Sequence, residues 1–201
     1  MNGESFPMSI PVLARLRAET RSEHDAMEAV LDLTGTGLTR DGFRRILEQF
    51  YGYYRPLEEA VRALERWDGH GLDLDERRKT PLLELDLRAL GVDAPDRLPL
   101  CRDIPLVDTP GAAFGCLYVM EGATLGGQVI SRHIRQTLSV TLEGGGRFFH
   151  GYGDRTGAMW QGFRSALAAF ATTQETQDLV ATAAVQTFST LRVWCERRTT
   201  E

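Results

Sequence analysis

The chain has 201 residues, 42% of them apolar and 25% charged, with a formal net charge of −5. These values match ordinary globular usage and exclude a disordered tail, a collagen-like chain and a disulfide scaffold. The negative balance gives no reason to expect nucleic acid or an anionic membrane as a partner.

Helical spacing dominates in chain order. Leu13, Leu16, Thr20, His24, Met27 and Leu31 recur every three or four residues and form one stripe of a first helix. Phe43, Leu47, Phe50, Tyr54, Leu57, Val61 and Leu64 form a second, with Thr39 and Asp41 as caps and Pro56 as a kink. A shorter helix is expected from about Asp73 to Leu90, ended by Gly91. Residues 93–110 hold four prolines and read as an irregular connector. Thr109-Pro110 has the form of an N-cap followed by proline at the first helical position. The helix it opens is predicted to run to about Leu142, with Gly144-Gly145-Gly146 ending it. Two more helices fit about 154–171 and 175–198. Ser139–Leu142 is the one short β-like patch. The expectation is one all-α domain over 1–201, with an ordered core at about 12–198 and six to seven or more helices.

Cys101, Cys116 and Cys195 are odd in number and lack CxxC spacing, so they read as reduced thiols. No signal pattern and no apolar run near the ~18 residues of a membrane helix is present, so a cytoplasmic protein is expected. Lys79 is the sole lysine among 23 basic residues, which is attributed to genome composition.

Three constellations could carry chemistry. His24 lies on the apolar stripe of the first helix, which points it toward the core. Either it is a hydrogen-bonded core histidine or it is a ligand. Glu28 stands one turn on and Arg17 seven residues back, on nearly the same face. A second-shell carboxylate and an anion contact about 10 Å along the axis would suit a metalloporphyrin, and solvated rim charges fit as well. In the segment Glu121-Gly122-Ala123-Thr124-Leu125-Gly126-Gly127-Gln128, glycines cost a helix ~1 kcal/mol each relative to alanine. Gly115, Gly122 and Gly126 share a face, so something approaches that backbone closely. It is either another helix or a flat ligand. Finally, Phe148-Phe149-His150-Gly151-Tyr152-Gly153 fits a packed loop, and Arg164 on the next helix is either a solvated charge or a second anion contact. His70 reads as part of a turn, His150 as part of a loop, and His133 as sharing the glycine face. No zinc, Walker, GxSxG or GxGxxG spacing occurs.

Arg17…His24…Glu28, the segment Tyr118 to Gln128, and Phe148 to Gly153 followed by Trp160 together resemble heme oxygenases over about residues 12–195. The bacterial branch that supplies biliverdin to bacteriophytochromes is the nearest in pattern. The resemblance implies an all-α fold with heme sandwiched between a proximal first helix and a kinked, glycine-rich distal helix. It implies His24 as proximal iron ligand with Glu28 behind it, and Arg17 and Arg164 as propionate contacts. Gly122, Gly126, Gly127 and Thr124 fall on the distal side. The implied reaction opens heme with O₂ and electrons to biliverdin, CO and iron. No flavin or nicotinamide motif is present, so the electrons are expected from a separate reductase or ferredoxin, and a bacteriophytochrome is the expected recipient of the product. One departure is Ala123, where many family members place an aspartate. It keeps open a non-catalytic heme-binding or trafficking protein on the same fold. A carboxylate-rich metal site would instead require Glu48, Glu58, Glu121 and His133 to converge.

Overall fold

In the computed structural model, residues 11–65, 67 and 70–199 are described, and among them no strand occurs. The major helices are α1 (Pro11–Leu31), α2 (Arg40–Arg62), α3 (Thr80–Ala89), α4 (Pro110–Leu138), the four-residue α5 (Arg147–His150), α6 (Thr156–Phe170) and α7 (Gln174–Thr199). Short irregular turns over Pro95–Arg97, Leu142–Gly146 and Gly153–Arg155 connect them. No helix among the described residues is long and apolar enough to cross a membrane.

Local chemistry sets most helix ends. The Thr39 hydroxyl accepts the Gly42 N–H at 3.0 Å and starts α2. Thr109 accepts the Ala112 N–H at 3.2 Å and starts α4, with Pro110 at the first helical position. Gly91, at φ +89°, ends α3, with the Val92 N–H returning to the Leu87 carbonyl at 2.9 Å.

Three boundaries differ from expectation. Helix α3 starts at Thr80 rather than near Asp73, because the Asp73 carboxylate caps a turn, accepting the Asp75 N–H at 2.8 Å. Helix α4 stops at Leu138, where Ser139 takes the left-handed conformation (φ +54°), and the β-like patch after it forms no strand. Residues 147–150 are helical rather than loop.

Helix α2 supplies much of the core, with Phe43, Leu47, Tyr51, Tyr53 and Leu57 almost fully buried. It is fastened to α7 by polar contacts: the Tyr53 hydroxyl meets the Thr187 carbonyl at 2.9 Å, and the Trp194 indole N–H donates to the Gln49 carbonyl at 2.8 Å. Cys101, Cys116 and Cys195 are all buried, and none of them forms a disulfide. Burial pushes the Cys116 thiol up to about 11 and the Cys195 thiol up to about 12, which keeps both protonated and inert.

Helix α7 is the spine. Both α1 and α4 pack along it rather than on one another. That arrangement leaves a gap between α1 and α4, floored by α7.

Candidate functional site

The gap is a cavity of about 750 Å³, within the range of small-molecule sites. Helix α1 contributes Arg17, Thr20, Arg21, His24, Met27 and Glu28 to its lining. Helix α4 contributes Tyr118, Val119, Gly122, Ala123, Leu125, Gly126, Val129 and Ile130. Aromatic rings complete the wall: Phe50 and Tyr54 from α2, Phe148 and Phe149 from α5, Trp160 from α6 and Phe188 from α7.

His24 differs from expectation in one respect. Its face fronts the open cavity rather than the packed core, and its side chain is 53% exposed. The ring stands edge-on to Phe188 with centroids 5.8 Å apart. Its Nδ1 lies 3.8 Å from a carboxylate oxygen of Glu28 and of Asp25. These three residues are the one group among the described residues whose ligand atoms stand close enough to share a metal ion. All are exposed, so the imidazole is free to turn its other nitrogen to a guest.

The glycines of α4 separate sharply. A Cβ built on Gly122 or Gly126 meets nothing within 4 Å. No protein packing therefore explains why α4 forgoes helix propensity at these two cavity-lining positions. Gly115, expected on the same face, instead abuts α7: a Cβ there would stand 2.5 Å from the Val180 carbonyl oxygen. Gly127 is corrected likewise. Its Cβ would lie 2.5 Å from the Phe149 carbonyl oxygen, so it makes room for α5 and does not touch the cavity. Thr124, expected in the distal pocket, is buried behind it. Its hydroxyl donates to the Glu121 carbonyl at 2.6 Å and is not part of the lining.

Basic groups gather at the α1 wall. Arg17 lines the cavity as expected, and Arg21, one turn on, lines it too. The i,i+4 spacing of the two was available in the sequence and was missed. Tyr118 reaches the same edge from α4, beside Thr20 and the Arg17 guanidinium, and burial holds its pKa above the ordinary tyrosine value. Arg164 lies outside the lining, although Trp160, one turn earlier, is part of it. The Arg164 Nε is buried with no hydrogen-bond partner, an orphan donor that an anion would satisfy.

The aromatic ledge Phe148-Phe149 is anchored from outside the cavity. Fully buried Asp86 of α3 accepts the Arg147 N–H at 2.9 Å and the Phe148 N–H at 2.7 Å, capping the α5 backbone. Burial raises the Asp86 carboxyl to about 6 against the opposing pull of those two N–H groups.

The remaining candidates fall away from the site. His70 packs among Trp67, Phe114 and Phe170. His133 does not line the cavity, and His150 ends α5. Glu48 pairs with Arg44, while Glu58 and Glu121 are engaged by backbone N–H groups and by cations, respectively. A carboxylate metal centre built from them does not form.

The site thus offers an imidazole, a bare backbone stretch, apolar rings and a basic edge. A flat, apolar, anionic-edged group carrying a metal fits that set, and heme has those properties. Among solved structures, the fold matches the NO- and CO-bound heme oxygenase of Neisseria meningitidis, with TM-score 0.77, 21% identity, and coverage of 93% of this chain and 91% of that one. It also matches the heme oxygenase of Leptospira interrogans (TM-score 0.74, 19% identity, 92% and 98% covered) and the heme-bound heme oxygenase-1 of Synechocystis sp. PCC6803 (TM-score 0.73, 16% identity, 92% and 91% covered). In sequence, 60 residues are 42% identical to a heme oxygenase of Xanthomonas campestris, a match over 30% of this chain and 33% of that protein, so it spans about a third of the relative. The model of the heme oxygenase family matches residues 11–197, a span that takes in every residue lining the cavity, and the chain belongs to that family.

Proposed function

We propose that the cavity binds heme and that the chain, as one domain in the cytoplasm, degrades it to biliverdin, CO and iron, using O₂ and electrons from a separate reductase or ferredoxin. The observation that carries this reading is the pairing of two glycines with nothing against them on α4 and an exposed imidazole on α1 lining the same cavity. Bound heme supplies the iron and the conjugated ring on which the oxygen chemistry runs. The His24 imidazole holds the iron from the α1 side. Glu28, one turn on, stands with a carboxylate oxygen 3.8 Å from its Nδ1, near enough to orient the ring electrostatically. Arg17 and Arg21 pair with the propionates. Arg164 stands outside the lining, one turn beyond Trp160, and its orphan Nε makes it a candidate for a further anion contact. The aromatic wall excludes water, and the Gly122 and Gly126 backbone admits the porphyrin plane close to the helix. Biliverdin transfer to a bacteriophytochrome belongs to the same reading.

A second reading, heme binding without turnover, is favoured by Ala123. It lines the cavity beside Gly122 and brings no proton donor. One experiment separates the two. Hemin added to the wild-type protein is expected to give a histidine-ligated Soret band, and ascorbate under air then converts it to the biliverdin spectrum. His24→Ala loses both, and added imidazole partly restores both. A stable Soret band under reductant and air selects the binding protein. An unchanged band in His24→Ala removes His24 as ligand.

A further inference from the structure

A buried charged cluster stands directly behind the glycine wall and takes no part in lining the cavity. Its centre is Glu121, 1% exposed, the residue before Gly122. One carboxylate oxygen accepts from Arg77 Nη1 at 2.6 Å. The other accepts from Lys79 Nζ and from the Tyr152 hydroxyl, each at 2.6 Å. Lys79 also donates to the Arg77 carbonyl at 2.7 Å, and its ammonium stands 4.5 Å from the centre of the Tyr152 ring. Arg77 reaches on to the Met159 carbonyl of α6 at 3.2 Å. Three segments are therefore tied to one carboxylate: the turn before α3, α4 itself, and the chain after α5.

Stability alone is a weak reason to keep such a cluster. Buried ion pairs are often matched or exceeded by apolar residues of similar volume. The sole lysine of the chain is 2% exposed, and burial pulls its pKa down even with Glu121 beside it. Position supplies the better reason. On the cavity side, nothing within 4 Å of the Gly122 and Gly126 Cβ positions fixes the height or rotation of α4. On the opposite side, Glu121 makes three short bonds, and the Thr124 hydroxyl holds the Glu121 carbonyl at 2.6 Å, a back-bond of the kind that bends helices. Gly122 follows Glu121 covalently, so whatever fixes one aims the other.

We propose that Glu121, clamped by Arg77, Lys79 and Tyr152, is a positioning residue that aims the Gly122 backbone into the cavity. The proposal rests on the heme reading above. Two variants test it. Tyr152→Phe removes only the hydroxyl and leaves the ring beneath Lys79. Glu121→Gln keeps the shape and removes the charge. Each is loaded with hemin, reduced and exposed to carbon monoxide, whose infrared C–O stretch reads the field of the α4 backbone. Hemin affinity, turnover per bound heme and melting temperature are measured on the same samples. Glu121→Gln is expected to shift and broaden the C–O band and to lower turnover per bound heme by on the order of tenfold to a hundredfold. Hemin affinity stays within about threefold, because His24 and the basic edge are untouched. Tyr152→Phe shifts the band in the same direction by less, and it decides the matter if Glu121→Gln fails to fold. A lowered melting temperature with unchanged band and unchanged turnover per bound heme would reduce the cluster to packing and overturn the proposal. A wild-type protein that binds no hemin overturns the heme reading itself, and this one with it.

Discussion

Helix α4 uses the same residue type for two opposite ends. At Gly115 and Gly127 the missing side chain lets another backbone in: Val180 and Ala184 of α7 in the first case, Phe149 of α5 in the second. At Gly122 and Gly126 the missing side chain lets in nothing that belongs to the protein. The first pair is explained by the fold. The second is a standing cost to the fold, explained only by what the cavity receives. Position within a motif therefore says less about a glycine than what its absent Cβ would touch.

Substituting alanine at each kind of site should give opposite signs in the ligand-free protein. Gly115→Ala places a methyl group 2.5 Å from one backbone atom and 2.8 Å from another. Backbone cannot move aside cheaply, so the overpacking cost reaches about 3 kcal/mol and exceeds the ~1 kcal/mol gained in helix propensity. A denaturant melt should show the loss directly. A neutral or stabilising result would mean that α7 gives way, and the contrast between the two pairs would dissolve.

The ledge that Gly127 accommodates is held from its far side by Asp86, which gives a second way to probe the packed set. The Asp86 carboxyl titrates at about 6 in the folded chain, above the ordinary value of about 4. The folded protein therefore binds this proton more tightly than the unfolded chain does. The group's contribution is most favourable below about pH 4 and is lost as the pH rises through about 6. Wild-type stability relative to Asp86→Asn should fall across that window, by about 1.4 kcal/mol for each unit of separation. Urea melts of both proteins at several pH values check it. Parallel curves would assign the slope to other carboxylates.

The smallest effect is the most telling. Gly126→Ala should stabilise the ligand-free protein by ~1 kcal/mol, read as a rise of about 2–4 °C in melting temperature for a chain of this size. The same variant should lose turnover per bound heme. A site that becomes sturdier as it becomes worse at its task has its glycine for the guest. A fall in stability would return Gly126 to the packed set.

What the sequence disclosed and withheld divides along similar lines. Caps are local, so Thr39, Thr109-Pro110 and Gly91 marked their helix ends correctly. The family pattern was legible because it rests on residue types at fixed spacing. Which side of α4 each motif residue faces was not. Successive helical residues turn by about 100°, which sends Gly126 to the cavity and Gly127 to α5. His24 was placed on the right stripe, but periodicity cannot tell a face that meets protein from one that meets a cavity. The late start of α3 has a local part, the Asp73-capped turn, that could have been read from the sequence, and a tertiary part that could not: Arg77 and Lys79 are drawn toward Glu121.

Lys79 was visible as the only lysine and was set aside as compositional. Its burial has a consequence for the reactivity of the folded chain. Every other basic side chain is a guanidinium or an imidazole, so the sole side-chain primary amine is sealed inside the structure. Reagents and enzymes that acylate lysines meet no side-chain target on the native surface. Where such a mark is found on Lys79, it records a molecule that had opened.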